Sequence, residues 1–123
     1  MTHLSKFLRE IPKFHRANGH RFWVETKRLS MYFRVQSRGI FYKDSLYMAD
    51  VLTIADHMEH PERKSRRKGL FRTAIRSLMA VCKSRGYDFL FFETADERST
   101  EILLALGWLP YGKQEKCFIY ELT

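Results

Sequence analysis

Apolar residues recur along the chain with two periods, and the switches between those periods predict its elements. Leu4, Phe7, Leu8 and Ile11 share one helical face; Pro12 ends that helix, and Phe14 carries the face on as far as Asn18-Gly19. The outer side of this helix is basic, with Lys6, Arg9, Lys13 and Arg16. Three runs of aromatic and β-branched residues follow, Arg21–Thr26, Met31–Gln36 and Leu46–Ile54, with turns at Lys27–Ser30 and around Gly39. They predict an antiparallel meander of three strands. Leu70, Ala74 and Leu78 then fall four apart, with Phe71, Ile75 and Met79 one step behind, which predicts a helix from Gly69 to about Arg85-Gly86. Tyr87–Glu93 is almost continuously apolar, as in an inner strand covered on both faces. Thr94 and Glu97 have capping-box spacing for a second helix through Ile102, Leu103 and Leu106, ended by Gly107. Trp108–Tyr111 and Cys117–Leu122 complete a hairpin. The order is helix, three strands, helix, strand, helix, two strands: an α/β fold with a mixed sheet flanked by helices. No repeat, low-complexity tract or linker interrupts it, so residues 1–123 read as a single domain.

Composition narrows the partners. With 123 residues, 45% of them hydrophobic, the chain can bury a true core and is no disordered tail. The formal net charge of +8 predicts an anionic partner: nucleic acid, a phosphorylated cofactor or an acidic protein surface. Met1–Phe14 alternates charge with single apolar residues, and no apolar run approaches the ~20 residues of a membrane span, so neither leader nor membrane is expected. Cys82, on the inner side of the patterned helix, and Cys117, in an apolar strand, read as buried reduced thiols of a cytoplasmic protein. His57, Glu59 and His60 suggest no metal, because residues three apart on a strand face opposite ways and no third ligand follows. Phe22, Trp23, Tyr32, Phe33, Phe41, Tyr42 and Tyr47 interleave with Arg21, Lys27, Arg28, Arg34, Arg38 and Lys43. That mixture suits either a base-stacking surface or a meander with one apolar and one charged face.

The stretch Glu62–Leu78 carries the sharpest chemistry. A strand, a basic loop with Gly69 and then a helix form an anion site, since the first helical N–H groups and the positive dipole end both favour phosphate. Six of the ten residues from Arg63 to Arg72 are basic, which adds mobile charge to those fixed donors.

From about Leu46 to Thr123 the chain resembles the core of the GNAT N-acetyltransferase superfamily. In that family a strand leads into a pyrophosphate-binding loop, Arg/Gln-x-x-Gly-x-Gly/Ala, and a long helix. Arg66-Arg67-Lys68-Gly69-Leu70-Phe71 matches except at its end, where Phe71 replaces a small residue. Asp96 stands where the family often has Asn, Leu103 where it often has the Tyr that protonates the leaving thiolate, and Gly107-Trp108 at the family's Gly-aromatic pair. Gly-Leu-Phe with a late Gly-Trp is similar to small GNAT-like proteins of bacteriophages. The resemblance implies a V-shaped splay between the fourth and fifth strands of the family's sheet, here Leu46–Ile54 and Tyr87–Glu93. It implies acetyl-CoA held by Arg66, Arg67, Lys68, Gly69, Leu70, Phe71, Arg72 and Asp96, and transfer of its acetyl group to an amine. It implies a backbone donor for the thioester oxygen from a bulged strand, within Thr53–His57.

Such a transfer needs a base and an acid. Asp56, His57, Glu59 and Glu93 are candidate bases, His57 because a histidine ordinarily titrates near ~6.5. Tyr111, from the final hairpin, is a candidate replacement for the missing acid. The alternative is a GNAT-like protein without turnover that binds nucleic acid or a host or virion protein through its basic surface.

Overall fold

The structure is a computed structural model and describes residues 3–26, 28–59, 69–113 and 116–122. It contains α1 (His3–Arg9), α2 (Phe14–Ala17), β1 (Arg21–Glu25), β2 (Leu29–Tyr42), β3 (Ser45–Glu59), α3 (Leu70–Val81), β4 (Phe89–Phe92), α4 (Glu97–Ala105), β5 (Leu109–Pro110) and β6 (Phe118–Glu121). The strands form one sheet in the order β1-β2-β3-β4-β6-β5. β1, β2 and β3 are the antiparallel meander. β3 and β4 are neighbours and parallel, Val51 opposite Phe89 through Ile54 opposite Phe92, joined by α3. β5 and β6 are the closing hairpin, with β6 against β4.

All the helices pack on one face of the sheet. α3 buries Phe71, Ala74, Ile75 and Leu78, as its four-residue spacing requires. They meet Phe7 and Ile11 from the N-terminal segment, Leu103 from α4, Trp108, and Leu52, Ile54, Leu90 and Phe92 from the sheet. A smaller cluster, Ile40, Ala49, Val51, Phe89, Phe91 and Ile119, sits on the other face with Tyr42 and Tyr111 packed against it. All four residues of β4 are therefore buried, which explains its unbroken apolar run. The two ends of the helical layer are tied by polar contacts. Arg85 donates to the carbonyls of Leu8 and Ile11, and the Tyr87 hydroxyl donates to Pro12 O at 2.7 Å. Burial raises the Tyr87 phenol above its usual range. Burial also pushes the Cys82 thiol up to about 12, opposed by the Arg85 charge, so this cysteine is an inert core residue. Cys117 is half-buried instead of buried, and no disulfide joins the two.

The expected boundaries of four elements move. The second and third strands are far longer than Met31–Gln36 and Leu46–Ile54, and Gly39 is no turn: it pairs with Met48 inside the ladder. The chain reverses at Lys43-Asp44, whose φ values of 48° and 65° make a two-residue hairpin without glycine. Asp tolerates that left-handed conformation better than most residues, yet the pair lacks the usual Asn-Gly or Asp-Gly signature. The inner strand is shorter than Tyr87–Glu93. The second helix is capped by Asp96 and Ser99, not by Thr94 and Glu97, because Thr94 has φ 53° and a cap residue is extended. No helix among the described residues is long and apolar enough to cross a membrane.

Candidate active site

The sheet opens where β4 stops. Glu93 N–H still donates to Ile54 O at 3.0 Å, and then the chain turns away at Thr94 while β3 continues against β2 to Glu59. A β-branched residue at positive φ is costly, and Thr94 holds it at the point of divergence. Beside that point β3 carries a bulge: Tyr32 pairs with Asp56 and Phe33 with Ile54, leaving Ala55 without a partner. One extra residue reverses the alternation of faces. Leu52 and Ile54 face the helices, and beyond the bulge His57 does so in place of Asp56.

His57 accordingly lies over two core rings, 5.1 Å from Phe71 and 5.3 Å from Phe92 between centroids. It lines a cavity of about 200 Å³ with Phe71, Asp96, Arg98 and Ser99. The first turns of α3 and α4 both border this cavity, just beyond the carboxyl ends of the two parallel strands. In an open α/β sheet that is where ligands bind. His57 Nδ1 is buried with no hydrogen-bond partner.

The two helix starts differ chemically. At α4 the Asp96 carboxylate accepts from Ser99 N–H at 2.8 Å, and Asp96 N–H donates to Ser99 Oγ at 2.8 Å. These bonds close the helix end upon itself. The Asp96 carboxyl is held below its usual range, chiefly by the Ser99 N–H bond, against the opposing effect of burial; the Ser99 hydroxyl, His57 and Arg98 add to the lowering. Asp96→Ala should cost about 0.5–2 kcal/mol of stability, the usual worth of a cap, measured by urea unfolding. Because the folded carboxyl is the more acidic, the contribution is complete at neutral pH. It should fade as pH falls through the carboxylate range, so wild type and variant converge in acid.

At α3 the cap position is Gly69, which has no side chain to offer, and the first bond inside the helix is Thr73 N–H to Gly69 O at 2.8 Å. The N–H groups of Leu70, Phe71 and Arg72 thus have no acceptor within the helix. Nothing in the chain demands glycine there. Its φ is −93°, and an added Cβ would meet only Thr73 Oγ1 at 3.8 Å. Open amides behind a residue without a side chain suit a pyrophosphate. Phe71 does not obstruct them: its ring is 2% exposed and fills the core between His57 and Phe92.

The remaining candidates are distributed around this point. Leu70 is half-buried and Arg72 exposed on the first turn of α3. Arg66, Arg67 and Lys68 lie outside the described residues, as does the Glu59 side chain, although its backbone ends β3. Asp56 is exposed and accepts from His57 N–H at 2.8 Å. Glu93 is at the splay on the face away from the helices, ion-paired with Arg34. Tyr111 is also on that far face, its ring 4.7 Å from Phe91 and its hydroxyl accepting from Phe41 N–H at 3.0 Å. Leu103 is fully buried in the main core. Sequence reasoning missed Arg34, Arg98 and Ser99. Ser99 had a local signal, three residues after an Asp, whereas Arg34 meets Glu93 only through the sheet's register.

No protein-family model matches the chain, and no curated protein matches it in sequence. Solved structures do. A tyrosine-to-phenylalanine mutant of the toxin AtaT, bound to the C-terminus of the antitoxin AtaR and acetyl-CoA, superposes with a TM-score of 0.57 at 16% identity, over 77% of this chain and 59% of that one. AtaT complexed with acetyl-methionyl-tRNAfMet gives 0.53 at 14% identity, over 76% and 62%. A tyrosine-to-phenylalanine mutant of KacT gives 0.54 at 16%, over 97% and 81%. The chain spans about three fifths of the length of the AtaT structures it matches.

Proposed function

The chain has the fold of the GNAT acetyltransferases, and from that premise we propose that it is an acetyl-CoA-dependent N-acetyltransferase acting on an amine. The observation that carries this reading is the start of α3 beside the splay: amides of Leu70, Phe71 and Arg72 with no acceptor inside the helix, a cap without a side chain, and a cavity at the ends of two parallel strands. Relatives by fold that bind acetyl-CoA, such as AtaT, support it.

The Leu70–Arg72 amides would hold the pyrophosphate, with basic side chains of the loop, Arg66, Arg67 and Lys68, closing on it. Acetyl-CoA brings an activated acetyl thioester. The bulge at Ala55 would turn a backbone N–H toward the thioester oxygen, where a fixed donor stabilises the developing negative charge. The acceptor amine would approach from the helix-free face. There Glu93 presents a carboxylate held by Arg34, suited to receive an ammonium and to draw off its proton, directly or through water.

The test is release of CoA thiol from acetyl-CoA across a panel of amines: polyamines, lysine peptides and aminoacyl-RNA. At least one should turn over, and Glu93→Gln should lower kcat by about 10²-fold, the lower range for a general base. If none turns over, the reading fails.

A second reading has one observation in its favour. Leu103 is sealed in the core where the family's tyrosine would stand, which favours a fold that serves binding without transfer, in a chain of net charge +8. Retention of an unrelated duplex on filters, falling steeply with salt, together with absent turnover would select it.

A further inference from the structure

We infer that His57 is the acid that protonates the leaving thiolate, a role that rests on the acetyltransferase reading. The position of the family's tyrosine is closed, since Leu103 is fully buried and offers no proton. Any replacement must therefore come from elsewhere around the cavity.

Of the described side chains lining the cavity, Asp96 and Ser99 are committed to each other in the capping box. Phe71 has no proton to give, and a guanidinium such as Arg98 does not release one near neutral pH. Tyr111 is on the opposite face of the sheet, with its hydroxyl engaged by Phe41 N–H. His57 remains. Among the described lining side chains it is the imidazole, the side-chain type most often used for general acid–base catalysis.

Its placement is specific. The bulge at Ala55 brings the ring to the helical side, Phe71 and Phe92 hold it from below, and Nδ1 is buried without a partner. The charged groups that line the cavity with it are Asp96 and Arg98 on α4. α3 and β4 present the two phenylalanines, and its neighbour on β3, Asp56, bonds its backbone N–H.

The amine nitrogen bonds the acetyl carbon, and the carbon–sulfur bond breaks with its electron pair going to sulfur. The thiolate takes the proton of the His57 imidazolium, giving neutral CoA thiol and neutral imidazole. The acceptor's ammonium loses two protons on becoming an amide. One is released to solvent, and the other restores the imidazolium through water. A division of labour results: Glu93 serves the acceptor on one face of the sheet, and His57 serves the leaving group on the other.

The experiment compares wild type with His57→Gln using an acceptor found active, and measures acetyl-CoA affinity by calorimetry alongside. The variant should bind acetyl-CoA within about threefold of wild type, lose about 10²-fold or more in kcat, and lose the alkaline limb of the kcat–pH profile. Free imidazole should restore part of the rate. A packing role would instead move affinity or melting temperature and would leave the pH limb in place. Undiminished kcat in His57→Gln, or an alkaline limb that persists in it, would overturn the role while leaving the acetyltransferase reading intact. Wild-type protein inert toward every acceptor would overturn both.

Discussion

Gly69→Glu is expected to weaken acetyl-CoA binding by about a hundredfold or more, equivalent to ~2.7 kcal/mol, with little change in melting temperature. The fold tolerates the substitution. Backbone φ at Gly69 is −93°, open to any residue, and a Cβ there has ordinary space. A carboxylate at a helix N-terminus even favours the helix, by about 0.3–1 kcal/mol. The same carboxylate would occupy the amides of Leu70–Arg72 and repel a pyrophosphate. Gly69→Ala, which adds bulk but no charge, should bind within a few-fold of wild type. Calorimetry on both variants separates electrostatic competition from loss of glycine itself. If Gly69→Glu binds like wild type, the start of α3 is not the phosphate site.

Trp108→Ala should be the most damaging single change to stability, costing about 3–5 kcal/mol of a total that for such domains is ~5–15 kcal/mol. Trp108 is 1% exposed. Its indole stands edge-on to Phe92 at 6.4 Å and leans on Tyr120 at 5.8 Å, and Nε1–H donates to Met79 Sδ at 3.3 Å. It therefore ties β4, β6 and α3 together directly after α4. Loss of the indole would loosen the wall that carries Asp96, Arg98 and Ser99, so affinity for acetyl-CoA should fall along with the urea midpoint. Trp108→Phe should keep most of the stability. A cost below about 1 kcal/mol for the alanine variant would mean that the residue is less central than its burial indicates.

These two residues show what the sequence makes legible and what it hides. Leu70, Ala74 and Leu78, with the apolar run around Phe89–Phe92, were enough to place a helix followed by an inner strand, because each pattern reports its own burial directly. Gly69 as the residue from which the helix starts was equally readable, since that signal is local. The hairpin from β2 to β3 was not. Ser37, Gly39 and the pair Lys43-Asp44 look like loop residues, yet the ladder runs past the first two and reverses at the last.

The face that His57 occupies was also hidden. It depends on one unpaired residue, Ala55, and no periodicity announces a bulge of one residue. The capping error has the same character. Thr94 and Asp96 both precede plausible partners, and only the left-handed backbone at Thr94 excludes it. Glu93 was recognisable as a strand-end carboxylate, but its pairing with Arg34 is a product of the register between β2, β3 and β4. Periodic burial is written in every residue of an element, whereas a site on a sheet depends on single-residue offsets between elements.

On the proposed reading the start of α3 beside the splay is an acetyl-CoA site. Calorimetric titration of acetyl-CoA into the wild-type chain is the test, with thermal melting as the companion readout. One molecule should bind per chain, with a dissociation constant in the range usual for enzyme substrates, ~1 μM–1 mM. At a hundred times that constant the ligand should add about 2.7 kcal/mol of stability and raise the melting temperature accordingly. Absence of both heat and thermal shift at millimolar acetyl-CoA would mean that the start of α3 does not bind this cofactor.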